Sequence, residues 1–284
     1  VDRSVSAMIT SKTSDEVLAC LDFSAYDASI SPVHSGRAFA FIAAHFADKF
    51  STEIFEIYYR FVSIPFYTPS GEYSGYHGVP SGSAFTNTID SIVQFLIYYE
   101  SGFIEYSDRY AQIQGDDGII LIQGDQRAEI LKAFEMEGLV VNVDKTQFFE
   151  SEGTYLQRYY HQSYRSSDSR TLGGVYSIGR ALARIKYLER FVGDVGSEEE
   201  LTGDDYFVLR AISILENCKH HPHFQDLIKF VRARDKHLLS YSANAVARFK
   251  NHASRKSKTG VTNQYGDQSG IESFDTIRVL RNLS

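Results

Sequence analysis

Asp22-Phe23-Ser24-Ala25-Tyr26-Asp27 places two carboxylates at the end of an apolar run, Val17–Phe23. Side chains alternate along a strand, so Leu18, Cys20 and Asp22 share one face. An Asp that closes a buried strand must be solvated, paired or bound to a cation, because an isolated buried charge is costly. Asp27 follows a short turn and can point into the same space; helix capping is its plainer role. Gln114-Gly115-Asp116-Asp117-Gly118 is more specific. Adjacent carboxylates repel, so at a tight hairpin they lower stability unless a cation relieves them. Mg²⁺ takes oxygen ligands, often one or two carboxylates plus substrate phosphates. An ordinary Asp-Gly turn is the alternative. The chain carries its own control, because Gly203-Asp204-Asp205 repeats the tripeptide after an acidic stretch and before a helical pattern. That copy reads as a helix start, where acids suit the helix dipole. Between the two lies Gly78-Val79-Pro80-Ser81-Gly82-Ser83-Ala84-Phe85-Thr86-Asn87-Thr88-Ile89-Asp90. A Gly/Ser loop running into a helix offers N–H groups and hydroxyls to phosphates, or is a plain loop with a Ser/Thr cap.

These residues need a scaffold. Val17–Phe23 reads as a buried strand, and Ser35–Val62, long and free of Pro, as one helix. Ile64–Gly82 holds three of the five prolines, hence loop and hairpin. Ala84–Glu100 is helical, with Ile89, Ile92, Val93, Leu96 and Ile97 on its apolar side. Tyr110–Gln114 and Gly118–Gln123 are strands of a hairpin with acids at its tip. Asp125 is the expected N-cap of a helix through Glu137 that Gly138 stops. Leu139–Val143 follows as a strand. Helices are expected over Ile178–Val192 and Asp204–Asn217, with an irregular tail after Lys256. The order is β–α–loop–α–ββ–α–β and then a helical half, which suits a sheet backed by helices joined to a separate helical domain.

Composition agrees with a globular protein: 43% of residues are hydrophobic and 23% charged, which excludes a disordered chain. At roughly 150 residues per domain, 284 residues make about two domains. Two cysteines, Cys20 and Cys218, cannot staple a fold of this size. No apolar run approaches the ~20 residues that span a bilayer, so no membrane partner is expected. The chain opens at Val1 and reads as a piece of something longer. Residues 1–150 hold 9 Lys/Arg against 21 Asp/Glu, a net of −12. Residues 155–190 hold 7 against 2, and residues 219–258 hold 10 against 2. Basic blocks after an acidic half raise nucleic acid as a partner, with solvated helical faces as the plain alternative.

Together, a strand-end Asp-x4-Asp, a Ser-Gly-x3-Thr that leads a helix, and a hairpin Gly-Asp-Asp, in that order, resemble the polymerase palm of viral RNA-dependent RNA polymerases. They match that family's motifs A, B and C. Asn142-Val143-Asp144-Lys145 is similar to its motif D, and Tyr155-Leu156-Gln157-Arg158 more loosely to motif E, the hairpin between palm and thumb. The wording of Ser81–Ser91 most resembles double-stranded-RNA viruses of the partitivirus and picobirnavirus kind. The resemblance covers residues 17–165.

It implies an α+β right-hand fold: an antiparallel palm sheet backed by helices, then an α-helical thumb. Residues 1–165 would be palm, with part of the fingers inserted between motifs A and B; residues 166–284 would be a mainly helical thumb and tail. It implies template-directed RNA synthesis in viral genome replication and transcription, by nucleotidyl transfer from NTPs to an RNA 3′ end. Asp22 and Asp116, with Asp117 beside them, would hold two Mg²⁺ ions (Mn²⁺ being the alternative metal). One ion would activate the primer 3′-hydroxyl and the other steady pyrophosphate. Ser81, Gly82, Thr86 and Asn87 would line the template and incoming nucleotide, and Asp27 would sense the ribose 2′-OH. Lys145 would protonate or stabilise pyrophosphate, with a solvated strand-end Lys as its plain reading. Expected partners are RNA template, product duplex, NTPs and viral capsid protein, in the host cytoplasm or inside the particle.

Two departures stand out. Many relatives place Asn four residues after the motif B Thr; here that position is Asp90, while Asn87 follows Thr86 directly. Either could complete the sugar contact. Only about 20 residues precede motif A, so the basic motif F is absent and this piece is expected to be inactive alone.

Other features point elsewhere. Cys218-Lys219-His220-His221-Pro222-His223 lacks the ligand spacing of a zinc site and sits in a helix-to-helix turn. Tyr58, Tyr59, Tyr98, Tyr99, Tyr155, Tyr159 and Tyr160 could stack on bases, or be core residues. Arg180, Arg184, Lys186 and Arg190 could track duplex phosphates or be solvated. A reverse transcriptase would show an aromatic-x-Asp-Asp hairpin where this chain has Gly115. A non-catalytic RNA-binding module would have no reason to assemble Asp22, Asp116 and Asp117.

Overall fold

The structure, a computed structural model, describes residues 1–104, 110–166, 170–187, 203–234, 247 and 273–283. The chain divides into two compact units, Val1–Ser163 with Ser169–Leu172, and Tyr164–Asp168 with Gly173–Ser284.

The first unit is built on an antiparallel four-stranded sheet. Its strands are β1 (Glu16–Leu21), β4 (Ala111–Gln114), β5 (Asp117–Gln123) and β6 (Gln147–Phe149), in the order β4-β5-β1-β6. β1 is central and buried along its whole length, which explains an unbroken apolar run. Val17, Ala19 and Leu21 face one core with Ile120 and Ile122. Leu18 and Cys20 face another with Ile119 and Leu121. The second face is covered by α1 (Asp2–Ser11), whose Val5, Met8 and Ile9 recur at helical spacing. It is also covered by Tyr155 and Tyr160 of an antiparallel hairpin, β7 (Glu152–Tyr155) and β8 (Arg158–His161). Tyr160 donates its hydroxyl to Asp2 at 2.8 Å.

The opposite face carries α3 (Pro32–Ala43), α5 (Thr86–Glu100) and α6 (Arg127–Met136). Ser31 caps α3, with Pro32 in its first turn. His34 and Arg37 of α3 reach Glu137 at the end of α6, at 3.1 and 3.4 Å. A short hairpin, β2 (Phe66–Thr68) and β3 (Gly71–Tyr73), precedes α5.

The second unit packs α7 (Ile178–Lys186), α8 (Gly203–Glu216), α9 (Phe224–Arg232) and α10 (Asp275–Asn282) around Ile212, Leu215, Phe224, Ile228, Ile277 and Leu280. The Thr276 amide and hydroxyl both donate to Glu216, at 3.0 and 2.9 Å.

The elements differ from the sequence expectation in several places. Ser35–Val62 is not one helix: α3 ends at Ala43, and α4 (Ser51–Ser63) starts after a 3₁₀ turn, Asp48–Phe50. The break lets α4 fold back so that Phe61 joins Phe39 in the core, with ring centroids 5.5 Å apart. Asp125 lies inside a 3₁₀ turn, and α6 begins at Arg127; Gly138 does stop it, at φ +79. Leu139–Val143 forms only the single bridge Phe23↔Val141, with Val140 and Val143 exposed. α7 ends at Lys186 because Tyr187 is extended, and residues 188–192 lie outside the described ones. The tail is not all irregular, since α10 buries Thr276, Ile277 and Leu280. The second Gly-Asp-Asp begins α8, as expected of a helix start.

Candidate active site at the sheet edge

Asp22 lies one residue past the last ladder pair, Leu21↔Gly118, and Asp117 one residue before it. The two aspartates therefore flank the same end of the β1–β5 ladder. Asp117 in turn pairs with Gln114 across a two-residue tip, Gly115-Asp116. Gly115 has φ +65, the positive value that the first central position of a type II′ hairpin turn requires. The turn leaves Asp116 exposed at the tip, and Asp117 half-buried beside it.

After Asp22 the chain turns sharply. Ala25 sits in the left-handed region at φ 52, ψ 50, before the single-turn helix α2 (Tyr26–Ser29) that carries Asp27. A non-glycine residue there stores strain, of order 1–3 kcal/mol, and such strain clusters at functional sites. The Gly78–Ser83 loop closes onto this turn. The Val79 amide donates to the Asp27 carbonyl at 2.7 Å, and the Ser81 hydroxyl donates to the Asp27 carboxylate. A Cβ on Gly78 would lie 2.3 Å from that carbonyl, so only glycine allows the approach. Thr86 opens α5 and donates its hydroxyl to the Pro80 carbonyl at 2.8 Å. Gly82, at φ +91, is exposed within the loop.

Helix α5 ties the loop to the hairpin. The Ser91 hydroxyl accepts from the Gly115 amide at 2.7 Å and donates to the Asn87 carbonyl at 2.6 Å. Asn87 itself packs against Gly115. Asp90 is 3% exposed, and its Oδ1 has no hydrogen-bond partner. Burial pushes its carboxyl up to about 7, and the charges of Asp27 and Asp116 push the same way. Lys145, on the turn after Asn142, places its ammonium 3.7 Å from Asp22 Oδ1. Nine of the ten candidate residues thus connect through direct contacts or neighbouring backbone: Asp22, Asp27, Ser81, Thr86, Asn87, Asp90, Asp116, Asp117 and Lys145. Gly82 shapes the loop without a contact of its own.

Ser91, Gln94 and Thr146 escaped the sequence reading. The signal for the first two was present: Asn87, Asp90, Ser91 and Gln94 form a polar stripe at helical spacing beside the apolar one.

Asp22 Oδ1 is buried and accepts no hydrogen bond, with the Lys145 ammonium near it but beyond hydrogen-bond distance, so it keeps an unused acceptor. Carboxylate oxygens alone at a strand end are the donor set that Mg²⁺ prefers. Among the described residues no three His, Cys, Asp or Glu side chains stand close enough to hold an ion as a ready cluster. Neighbouring carboxylates repel, and a cation between them relieves that repulsion. The donors fit the metal.

An antiparallel sheet whose strand-end and hairpin aspartates meet a Gly/Ser loop leading into a helix defines the class as an α+β fold, and the solved structures similar to it are polymerases. Residues 1–171 match the viral RNA-dependent RNA polymerase family, and the chain belongs to it. It is 29% identical over 243 residues to a potential RNA-dependent RNA polymerase of human picobirnavirus (strain Human/Thailand/Hy005102/-), covering 83% of this chain and 44% of that protein. The crystal structure of a human picobirnavirus RNA-dependent RNA polymerase is similar at a TM-score of 0.79 and 26% identity, over 100% of this chain and 54% of that one. Its insertion-loop deletion mutant gives 0.80 and 25%, over 100% and 53%. The chain spans about half the length of these relatives.

Proposed function

We propose that this chain carries the catalytic palm of an enzyme that synthesises RNA on a template, joining NTPs to an RNA 3′ end during viral genome replication and transcription. The observation that carries the reading is the junction of three distant segments at one end of the sheet: Asp22 and Asp117 flanking the Leu21↔Gly118 pair, Ser91 on Gly115, and Ser81 on Asp27. Family membership supports it. The first compact unit is read as palm with part of the fingers, and the second as thumb. That division is supported by the boundary at residues 163–164 and by the four packed helices after it.

Asp22 and Asp116, with Asp117 adjoining, are the residues that would hold two Mg²⁺ ions, or Mn²⁺. Such ions lower the pKa of an attacking hydroxyl and neutralise a leaving pyrophosphate. Lys145 is placed to meet negative charge beside Asp22. Ser81 and Asp27 shape the sugar pocket, and Thr86 and Asn87 hold the loop and hairpin against each other for the template and nucleotide. Asp90, rather than Asn87, is read as the support of Asp27, because its buried carboxyl is raised by the Asp27 charge, whereas Asn87 lies against Gly115. An acid kept protonated can donate to the Asp27 carboxylate as an amide would. Exposed Arg180, Arg184 and Lys186 on α7 are placed to follow product-duplex phosphates; Arg190 lies outside the described residues. No described helix is long and apolar enough to cross a membrane. The host cytoplasm or particle interior, with viral capsid protein as neighbour, is the setting this reading entails.

The experiment is ribonucleotide incorporation by the full-length enzyme with Mg²⁺, with and without an RNA template. Template-dependent incorporation is expected; incorporation indifferent to template, or none, contradicts the proposal.

A further inference from the structure

The β1–β6 ladder pairs Cys20 with Gln147 and goes no further, because the chain tightens into a turn at residues 142–146. There the Lys145 and Thr146 amides both donate to the Asn142 carbonyl, at 3.2 and 2.9 Å. A strand-end amide inside the fold still needs an acceptor. At Asp22 the acceptor is a side chain: the amide donates to Thr146 Oγ1 at 3.1 Å. The Asp22 carbonyl accepts from the Asn142 amide at 2.7 Å, and the next anchor is Ser24 N–H to the Val140 carbonyl at 2.8 Å.

Asp22 is therefore held by its backbone and not by its carboxylate. Its Oδ1 makes no hydrogen bond, and the Lys145 ammonium at 3.7 Å is itself largely exposed, so that pair steers weakly. Among the described residues, Thr146 Oγ1 is the one side-chain acceptor of the Asp22 amide. It also adjoins Lys145, so any shift of the turn moves the lysine and the Asp22 anchor together.

We propose that Thr146 is a positioning residue: its hydroxyl fixes the Asp22 backbone and couples the aim of that carboxylate to the turn bearing Lys145. The inference rests on reading Asp22 as a metal-holding catalytic carboxylate. Residues that orient a metal ligand without touching the ion cost on the order of 10- to 100-fold in metal affinity or activity when changed.

The test compares Thr146→Val, which keeps the shape and removes the hydroxyl, with Thr146→Ser, which keeps the hydroxyl, in the full-length enzyme. Thr146→Val should lower turnover at saturating nucleotide on the order of 10- to 100-fold. It should raise the Mg²⁺ concentration giving half-maximal rate and leave the nucleotide KM unchanged, while Thr146→Ser stays close to wild type. A readout free of metal and turnover is amide hydrogen exchange at Asp22, which should accelerate in Thr146→Val and not in Thr146→Ser. Normal turnover in Thr146→Val, or equal losses in both variants with the Asp22 amide still protected, overturns the proposal. If Thr146→Val does not fold, Thr146→Ala against Thr146→Ser decides the same question. Asp22→Asn is the control for the underlying reading: full turnover there removes Asp22 from catalysis, and the proposal falls with it.

Discussion

Asp90 holds a buried carboxyl close enough to Asp27 that the Asp27 charge adds to burial in raising it. Two carboxylates in one pocket cannot both ionise cheaply, and burial decides which keeps the proton. Asp27 is half-buried and takes the Ser81 hydroxyl, whereas Asp90 Oδ1 has no partner. Asp90 is the member held as the acid.

That assignment has a pH dependence. Burial, helped by the charges of Asp27 and Asp116, raises Asp90 from 3.8 to about 7. The folded protein keeps a proton that the unfolded chain releases, so this stabilisation is complete below about pH 4 and is lost as pH rises through about 7. Melting temperature should therefore fall between pH 5 and pH 8 more steeply in wild type than in Asp90→Asn, which needs no proton to donate. Parallel slopes would show that Asp90 is ionised in the fold.

Sugar selection should follow the same pair. A site built to bond a hydroxyl rejects the analogue lacking it, since its polar groups are left unpaired. Asp27→Ala should lose discrimination between ribo- and deoxyribonucleotides by about 5- to 150-fold, the equivalent of roughly 1–3 kcal/mol for one such bond. Asp90→Ala should share the loss, and Asn87→Ala should not. Unchanged sugar preference in Asp27→Ala would leave Asp27 a turn residue only.

Gly78→Ala tests the loop contact. The added methyl would meet the Asp27 carbonyl at 2.3 Å and the Ala28 backbone at 3.0 Å, neither of which can swing aside. The loop must retreat, breaking the Val79–Asp27 and Ser81–Asp27 hydrogen bonds. Nucleotide KM should rise, and the melting temperature should fall because the retreating loop draws Val79 out of the core. Wild-type KM would mean that the loop does not bind substrate in this arrangement.

Gly118 faces a different constraint. A Cβ there would sit 2.7 Å from Gln94 Nε2, and Gln94 is fully buried with nowhere to turn. Gly118→Ala should destabilise by about 1–3 kcal/mol, as overpacking does. Most of that loss should vanish in a Gln94→Ala background, where the space is open. Additive effects in denaturant unfolding would place the cost elsewhere.

How much of this could be read from residues alone depends on the kind of signal. β1 and the Gly115–Asp117 hairpin were legible because a short apolar run and an Asp-Asp tip between such runs have few other uses. Asp90 and Gln94 were named or passed over without their burial being visible, since apolar periodicity places only apolar residues inside. The α3–α4 break was hidden because Phe46, Phe50 and Phe55 continue a helical-looking pattern though all three are exposed. Helix α10 was lost in a polar tail, where Ile277 and Leu280 find their burial against distant residues. Thr146 was silent for the same reason: its partner is 124 residues away.

The central claim is that Asp22 and Asp116, brought to one sheet edge from separate segments, perform one reaction. Single-nucleotide addition to a primed RNA template by the full-length enzyme tests it most directly, with Asp22→Asn, Asp116→Asn and Asp205→Asn compared with wild type. Asp22→Asn and Asp116→Asn should each abolish addition while the melting temperature holds. Asp205→Asn, in the Gly-Asp-Asp that begins α8, should keep the turnover of every folded molecule even if its buried side chain costs stability. Near-normal addition by Asp116→Asn would contradict the account.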